Sequence, residues 1–72
     1  MNPHQLYYFH SEPTCPAFTV ENSTQGNWTA SSVGITVTIE CAANNNLIGD
    51  ATRICQKDGS WSSDLPQCVG KS

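Results

Sequence analysis

One stretch of the chain alternates cleanly: Val33, Ile35, Val37 and Ile39 are apolar, Gly34, Thr36, Thr38 and Glu40 intervene, and the apolar parity runs directly into Cys41. Alternation with period two lines one face of a pleated strand and exposes the other, so this segment predicts a half-buried β-strand. Asn44-Asn45-Asn46 then breaks the pattern, Leu47 and Ile48 form a short apolar pair, and Gly49-Asp50 gives a second turn signal before Cys55. Parity fails on the way to Cys55. Arg53 shares the side of the cysteine while Ile54 points opposite, which predicts a bulge or a thin, partly exposed strand. Asp58-Gly59 suits positive φ and sits between Ile54-Cys55-Gln56 and Ser60-Trp61-Ser62, the layout of a tight hairpin with Trp61 on the ribbon. Asp64-Leu65-Pro66 ends that ribbon, because proline has no N–H to give to a ladder. No segment carries a helical period.

The remaining segments are less regular. Ala17 to Ser32 is rich in Asn, Ser, Thr, Gln and Gly, and reads as loop with short extended pieces in which Trp28 stands out as the large apolar side chain. Residues 1–13 hold Leu6, Tyr7, Tyr8 and Phe9 in an unbroken run between Pro3 and Pro13, with no cysteine. They read as a tail or linker before a module spanning 14–69, with 70–72 as a second short tail. The aromatic run has a sharper reading too, as an added edge strand or a contact arm. His4 and His10 are most simply solvated.

At 72 residues the chain forms one domain, too small for its apolar core to outweigh chain entropy comfortably. Four cysteines, Cys15, Cys41, Cys55 and Cys68, supply the staples, and an even number in a short chain predicts two disulfides among three possible pairings. A zinc site is disfavoured: 25, 13 and 12 residues separate successive cysteines, and no Cys-x2-Cys pair presents two sulfurs from one turn. Asn22-Ser23-Thr24 and Asn27-Trp28-Thr29 both match the N-glycosylation acceptor, which has meaning only on the secretory route. Together with paired cysteines they predict an extracellular chain, secreted or part of an ectodomain. With no signal peptide or membrane span in view, it reads as a mature fragment.

Net charge is −3, and the basic residues Arg53, Lys57 and Lys71 form no cluster, so nucleic acid and heparin are poor partners for this surface. Catalysis has no visible machinery. The thiols are committed to bridges, the histidines lie in the tail, and Glu12, Glu21, Glu40, Asp50, Asp58 and Asp64 are scattered. No catalytic residue, metal ligand or cofactor-binding residue is assigned.

Cys15 to Cys68 resembles a complement control protein module, also called a sushi domain or short consensus repeat. The likeness lies in Cys15-Pro16, in Gly34-x-x-Val37-x-Ile39-x-Cys41, in Gly49 eight residues later, in Cys55-x-x-x-Gly59-x-Trp61-Ser62 and in Pro66-x-Cys68. The resemblance implies a small disulfide-rich all-β fold, an elongated module of short antiparallel strands with bridges Cys15–Cys55 and Cys41–Cys68. It also implies a structural role for Trp61, packed between the bridges, and for Val37, Ile39, Gly34, Gly59 and Pro66. The chain departs from the pattern where the family usually has Gly followed by an aromatic residue, since Asn44-Asn45 stand there. Trp28 could fold inward to compensate or stand outward as a contact. A second resemblance is to the hormone-receptor motif found outside some adhesion-type receptors, carried by Trp28-x-x-Ser31-x-x-Gly34 and Ala51-Thr52-Arg53-x-Cys55.

Both likenesses imply an extracellular, non-catalytic domain. The expected function is a protein-binding module of a larger receptor, adhesion or complement-type protein, monomeric when isolated. The alternatives are a rigid spacer between binding domains and a small secreted inhibitor. Contacts are expected on the loop between the first two cysteines, at Glu21 and Trp28, or on the tail aromatics Tyr7, Tyr8 and Phe9.

Overall fold

A computed structural model describes residues 13–71, and within them the chain is built from antiparallel two-stranded ribbons with no helix. β1 (Thr14–Cys15) pairs with β4 (Ser31–Ser32), and β2 (Phe18–Thr19) with β3 (Asn27–Trp28). β5 (Thr36–Thr38) pairs with β7 (Thr52–Ile54), and β6 (Asn45–Ile48) with β8 (Gln67–Gly70). Ribbons of two to four residues are marginal in water on their own, so their persistence needs covalent and packing support.

The support is two disulfides, Cys15–Cys55 and Cys41–Cys68, with Cα separations of 5.7 and 5.5 Å. They span 40 and 27 residues, and closing loops of that length removes about 4 kcal/mol of denatured-state entropy each in the chain-entropy model. The all-β fold and both bridges match the pairing implied by the sushi likeness.

Several local expectations change. The Val33-to-Ile39 alternation becomes a three-residue strand, because Val33-Gly34 form a turn: the Ile35 N–H bonds the Ser32 carbonyl at 3.2 Å, and Gly34 takes φ +92°. Ile35 is left 47% exposed, whereas Ile39, at the other end of the alternation, is fully buried. Of the two forms expected near Arg53, a bulge or a thin, partly exposed strand, the chain takes the second. Thr36, Val37 and Thr38 pair in regular register with Ile54, Arg53 and Thr52, so Arg53 faces inward and Ile54 outward.

The Asp58-Gly59 hairpin forms through the Gln56 N–H to Ser60 carbonyl bond, the Ser62 N–H to Ile54 carbonyl bond and the bridge pair Cys55 with Trp61. Gly59 takes φ +88°, which an L side chain rarely adopts. At the far end β8 runs to Gly70, and the Lys71 N–H reaches the Asn44 carbonyl.

Candidate functional site

The buried apolar core is small. Val20, Trp28, Ile39 and Cys68 form it, with Phe18, Val37, Cys41 and Leu47 packed against it. Trp28 is 6% exposed, which decides between its two expected roles: the indole is core, and it offers no surface to a partner. Its position follows from β3, a strand that turns Asn27 outward and Trp28 inward.

From this core a line of stacked groups runs toward the other bridge. Phe18 stacks on Trp28 with ring centroids 5.0 Å apart and planes 10° from parallel, and meets Trp61 edge-on at 5.4 Å. The Arg53 guanidinium lies 4.6 Å from the Phe18 centroid and 5.2 Å from that of Trp61. Its Nε and Nη2 donate to the Ser63 carbonyl at 3.0 and 2.8 Å. Burial pulls the Arg53 pKa down from its ordinary value while the Asp64 carboxylate opposes that shift; guanidinium stays protonated in proteins regardless.

Trp61 is half-buried, and its indole N–H donates to the Pro16 carbonyl at 2.9 Å. It therefore stands beside the Cys15–Cys55 bridge, while the apolar cluster gathers around Trp28 and the other bridge. Val37 is half-buried against the core, Ile39 is inside it, and Pro66 is buried under Gly49, where an added Cβ would meet Pro66 Cα at 3.3 Å. At the family's Gly-aromatic position, Asn44 takes φ +69° in place of glycine. Asn45 spends its amide on the carbonyls of Ala42 and Ala43. No aromatic ring stands there, and the Trp28–Phe18 stack supplies aromatic packing from the other side of the chain. Sequence reasoning missed Phe18 and the inward role of Arg53. The signals were present, in the parity of Arg53 with Cys55 and in a turn that sets Phe18 opposite Trp28.

What is left outside is polar with a few apolar exceptions: Ile35, Ile48, Ile54, Leu65 and Val69 are the large exposed hydrophobics among the described residues. Leu65, 49% exposed, borders two shallow hollows. One, of about 340 Å³, is lined by Thr19, Val20, Glu21 and the Leu65-to-Val69 segment. The other, of about 390 Å³, is lined by Gly49, Asp50, Ser62, Ser63, Asp64 and Leu65. Glu21, an expected contact, thus shares a hollow with Leu65 and Val69, and Asp50 and Asp64 lie in its neighbour. The other expected contacts, Tyr7, Tyr8 and Phe9, lie outside the described residues. So do His4, His10 and Glu12.

No group of three metal-ligating side chains gathers among the described residues, and no helix there is long and apolar enough to cross a membrane. A family model described as Sushi repeat (SCR repeat) matches residues 11–68, from just before Cys15 to Cys68.

Proposed function

The chain belongs to the Sushi repeat family, whose members are non-catalytic, extracellular protein-interaction modules; from that membership we propose a protein-binding bead within a larger secreted or cell-surface protein. The parent is of receptor, adhesion or complement type, and the bead itself catalyses nothing. Its contact surface centres on Leu65 and the two hollows beside it. The observation that supports this placement is that, of the large exposed hydrophobics among the described residues, Leu65 alone borders both hollows. Trp28, Phe18 and Arg53 are spent on packing, and Trp61 is tied to Pro16, whereas Leu65 stands half-exposed with Glu21, Asp50 and Asp64 around it. An apolar side chain with polar groups around it matches the anatomy of a protein interface, an apolar centre inside a polar rim. The matching partner patch carries an apolar pocket flanked by basic side chains.

The test is a binding screen of the multimerised module against an array of identified receptor and plasma-protein ectodomains, repeated with Leu65→Ser and Asp64→Asn after non-reducing mass analysis confirms both bridges. The reading expects at least one ectodomain to bind, and its affinity to fall about tenfold or more with Leu65→Ser, a change of about 1.4 kcal/mol. If exposed substitutions leave every interaction unchanged, the spacer reading replaces it.

A further inference from the structure

The two N-glycosylation triplets look equivalent in sequence and occupy different situations in the fold. In the first, Asn22 takes φ +65°, its carbonyl accepts the Ala42 N–H at 2.7 Å, and its Nδ2 donates to the Cys68 carbonyl at 3.3 Å. The next residue, Ser23, forms the bridge pair with Cys41, and its hydroxyl donates to the Val20 carbonyl at 2.6 Å while accepting the Gly26 N–H. The Thr24 N–H bonds the Glu40 carbonyl at 2.8 Å. Every residue of that triplet ties the loop to the chain around the Cys41–Cys68 bridge. The nitrogen that a sugar would occupy is the one aimed at β8.

The second triplet differs in what its amide does. Both asparagines are exposed, but Asn27, on β3, uses its amide oxygen, which accepts the Thr19 hydroxyl at 2.7 Å. The hydrogen bonds among the described residues leave its Nδ2 without a protein acceptor. Strand alternation turns the neighbouring Trp28 to the opposite face, so a sugar on Asn27 does not meet the indole.

We infer that Asn27 carries an N-linked glycan and that Asn22 is a structural residue whose amide fastens its turn to the second disulfide. The inference rests on the extracellular reading, since the sugar is added only on the secretory route. It also adds to that reading. Asn27 is the cross-strand partner of Thr19, and Thr19 lines the hollow that holds Glu21, so the sugar stands at that hollow's far rim and leaves the Asp50–Asp64 side of Leu65 open.

The test expresses the full 72-residue chain behind a secretory leader in mammalian cells, as wild type, Asn27→Gln and Asn22→Gly. Glycine keeps the positive φ that Asn22 needs while removing its amide. Occupancy is read by peptide mass after deglycosylation in heavy-oxygen water, on secreted and cell-retained material alike. The expected result is one glycan, on Asn27, absent from Asn27→Gln and unchanged in Asn22→Gly. A glycan on Asn22, on both sites or on neither overturns the inference. The extracellular reading fails separately, on the non-reducing mass of the same samples, if the chain reaches the medium without its two bridges.

Discussion

Replacing Arg53 by lysine keeps the charge, whereas replacing it by methionine removes the charge and keeps most of the volume; the charge-keeping change is expected to be the worse one. Arg53 is 7% exposed, with two donors converging on the Ser63 carbonyl and its planar group against Phe18 and Trp61. Hydrogen bonds from a charged donor contribute about 1.5–3 kcal/mol, and because both fall on one oxygen they are counted once. The ring contacts add about 1–2 kcal/mol. Opposing these is the cost of keeping a cation out of water, several kcal/mol for a poorly paired ion.

Lysine keeps that cost and raises it, since an ammonium is more strongly hydrated than a guanidinium, and it can neither fork onto Ser63 nor lie flat on Phe18. A loss of about 3 kcal/mol follows. Methionine forfeits the same contacts but drops the desolvation cost and regains about 0.3–1.5 kcal/mol from sulfur against the rings, so its net loss is the smaller of the two. Urea unfolding with the bridges intact, followed by tryptophan fluorescence, measures the difference, provided the m-value stays constant. The reasoning is refuted if Arg53→Lys lies within about 0.5 kcal/mol of wild type, or if Arg53→Met is the more damaging change.

Gly26 and Gly59 have nearly equal φ, +85° and +88°, so alanine at either carries a backbone cost of about 1–2 kcal/mol. At Gly59 the new Cβ also meets Pro13 Cβ at 3.1 Å, whereas at Gly26 it meets nothing within 4 Å, so urea midpoints should place Gly59→Ala below Gly26→Ala. Asp58 accepts from the Ser60 hydroxyl and N–H, which hold its carboxyl below the usual range. A depressed folded pKa adds stability above the unfolded carboxylate pKa of about 4 and loses it as pH falls through the folded value. A pH series of urea midpoints should therefore show a small acid-side decline that Asp58→Asn removes; a decline of equal size in the variant would contradict this assignment.

The turn at Asp58-Gly59 and the inward placing of Val37 and Ile39 were legible from backbone chemistry, whereas the bridge pairing came through family likeness and the turn that shortens the strand before Thr36 went unread. Arg53 was less legible. Its parity with Cys55 marked it as inward, yet a cation at a core position reads as an interruption unless its aromatic neighbours are known, and Phe18 comes from a strand more than thirty residues away. Trp28 was undecided for a similar reason: polar neighbours on both sides hide the fact that a two-residue strand is enough to turn one side chain in and the other out. The proposed contact surface had still less signal. Leu65 precedes a proline with no periodic pattern around it, and only the arrangement of two hollows on either side distinguishes it from any other exposed leucine.

If Trp28 serves the fold and Leu65 serves the partner, stability and affinity must separate between the two positions. Trp28→Phe and Leu65→Ser are each assayed by urea unfolding and by affinity for an ectodomain that binds the wild-type module. Trp28→Phe is expected to lose about 1–3 kcal/mol of stability with the affinity of its folded fraction unchanged. Leu65→Ser is expected to hold stability within about 0.5 kcal/mol while affinity falls about tenfold or more. The reverse pattern, with affinity lost at Trp28 beyond its unfolded fraction and kept at Leu65, would contradict the account.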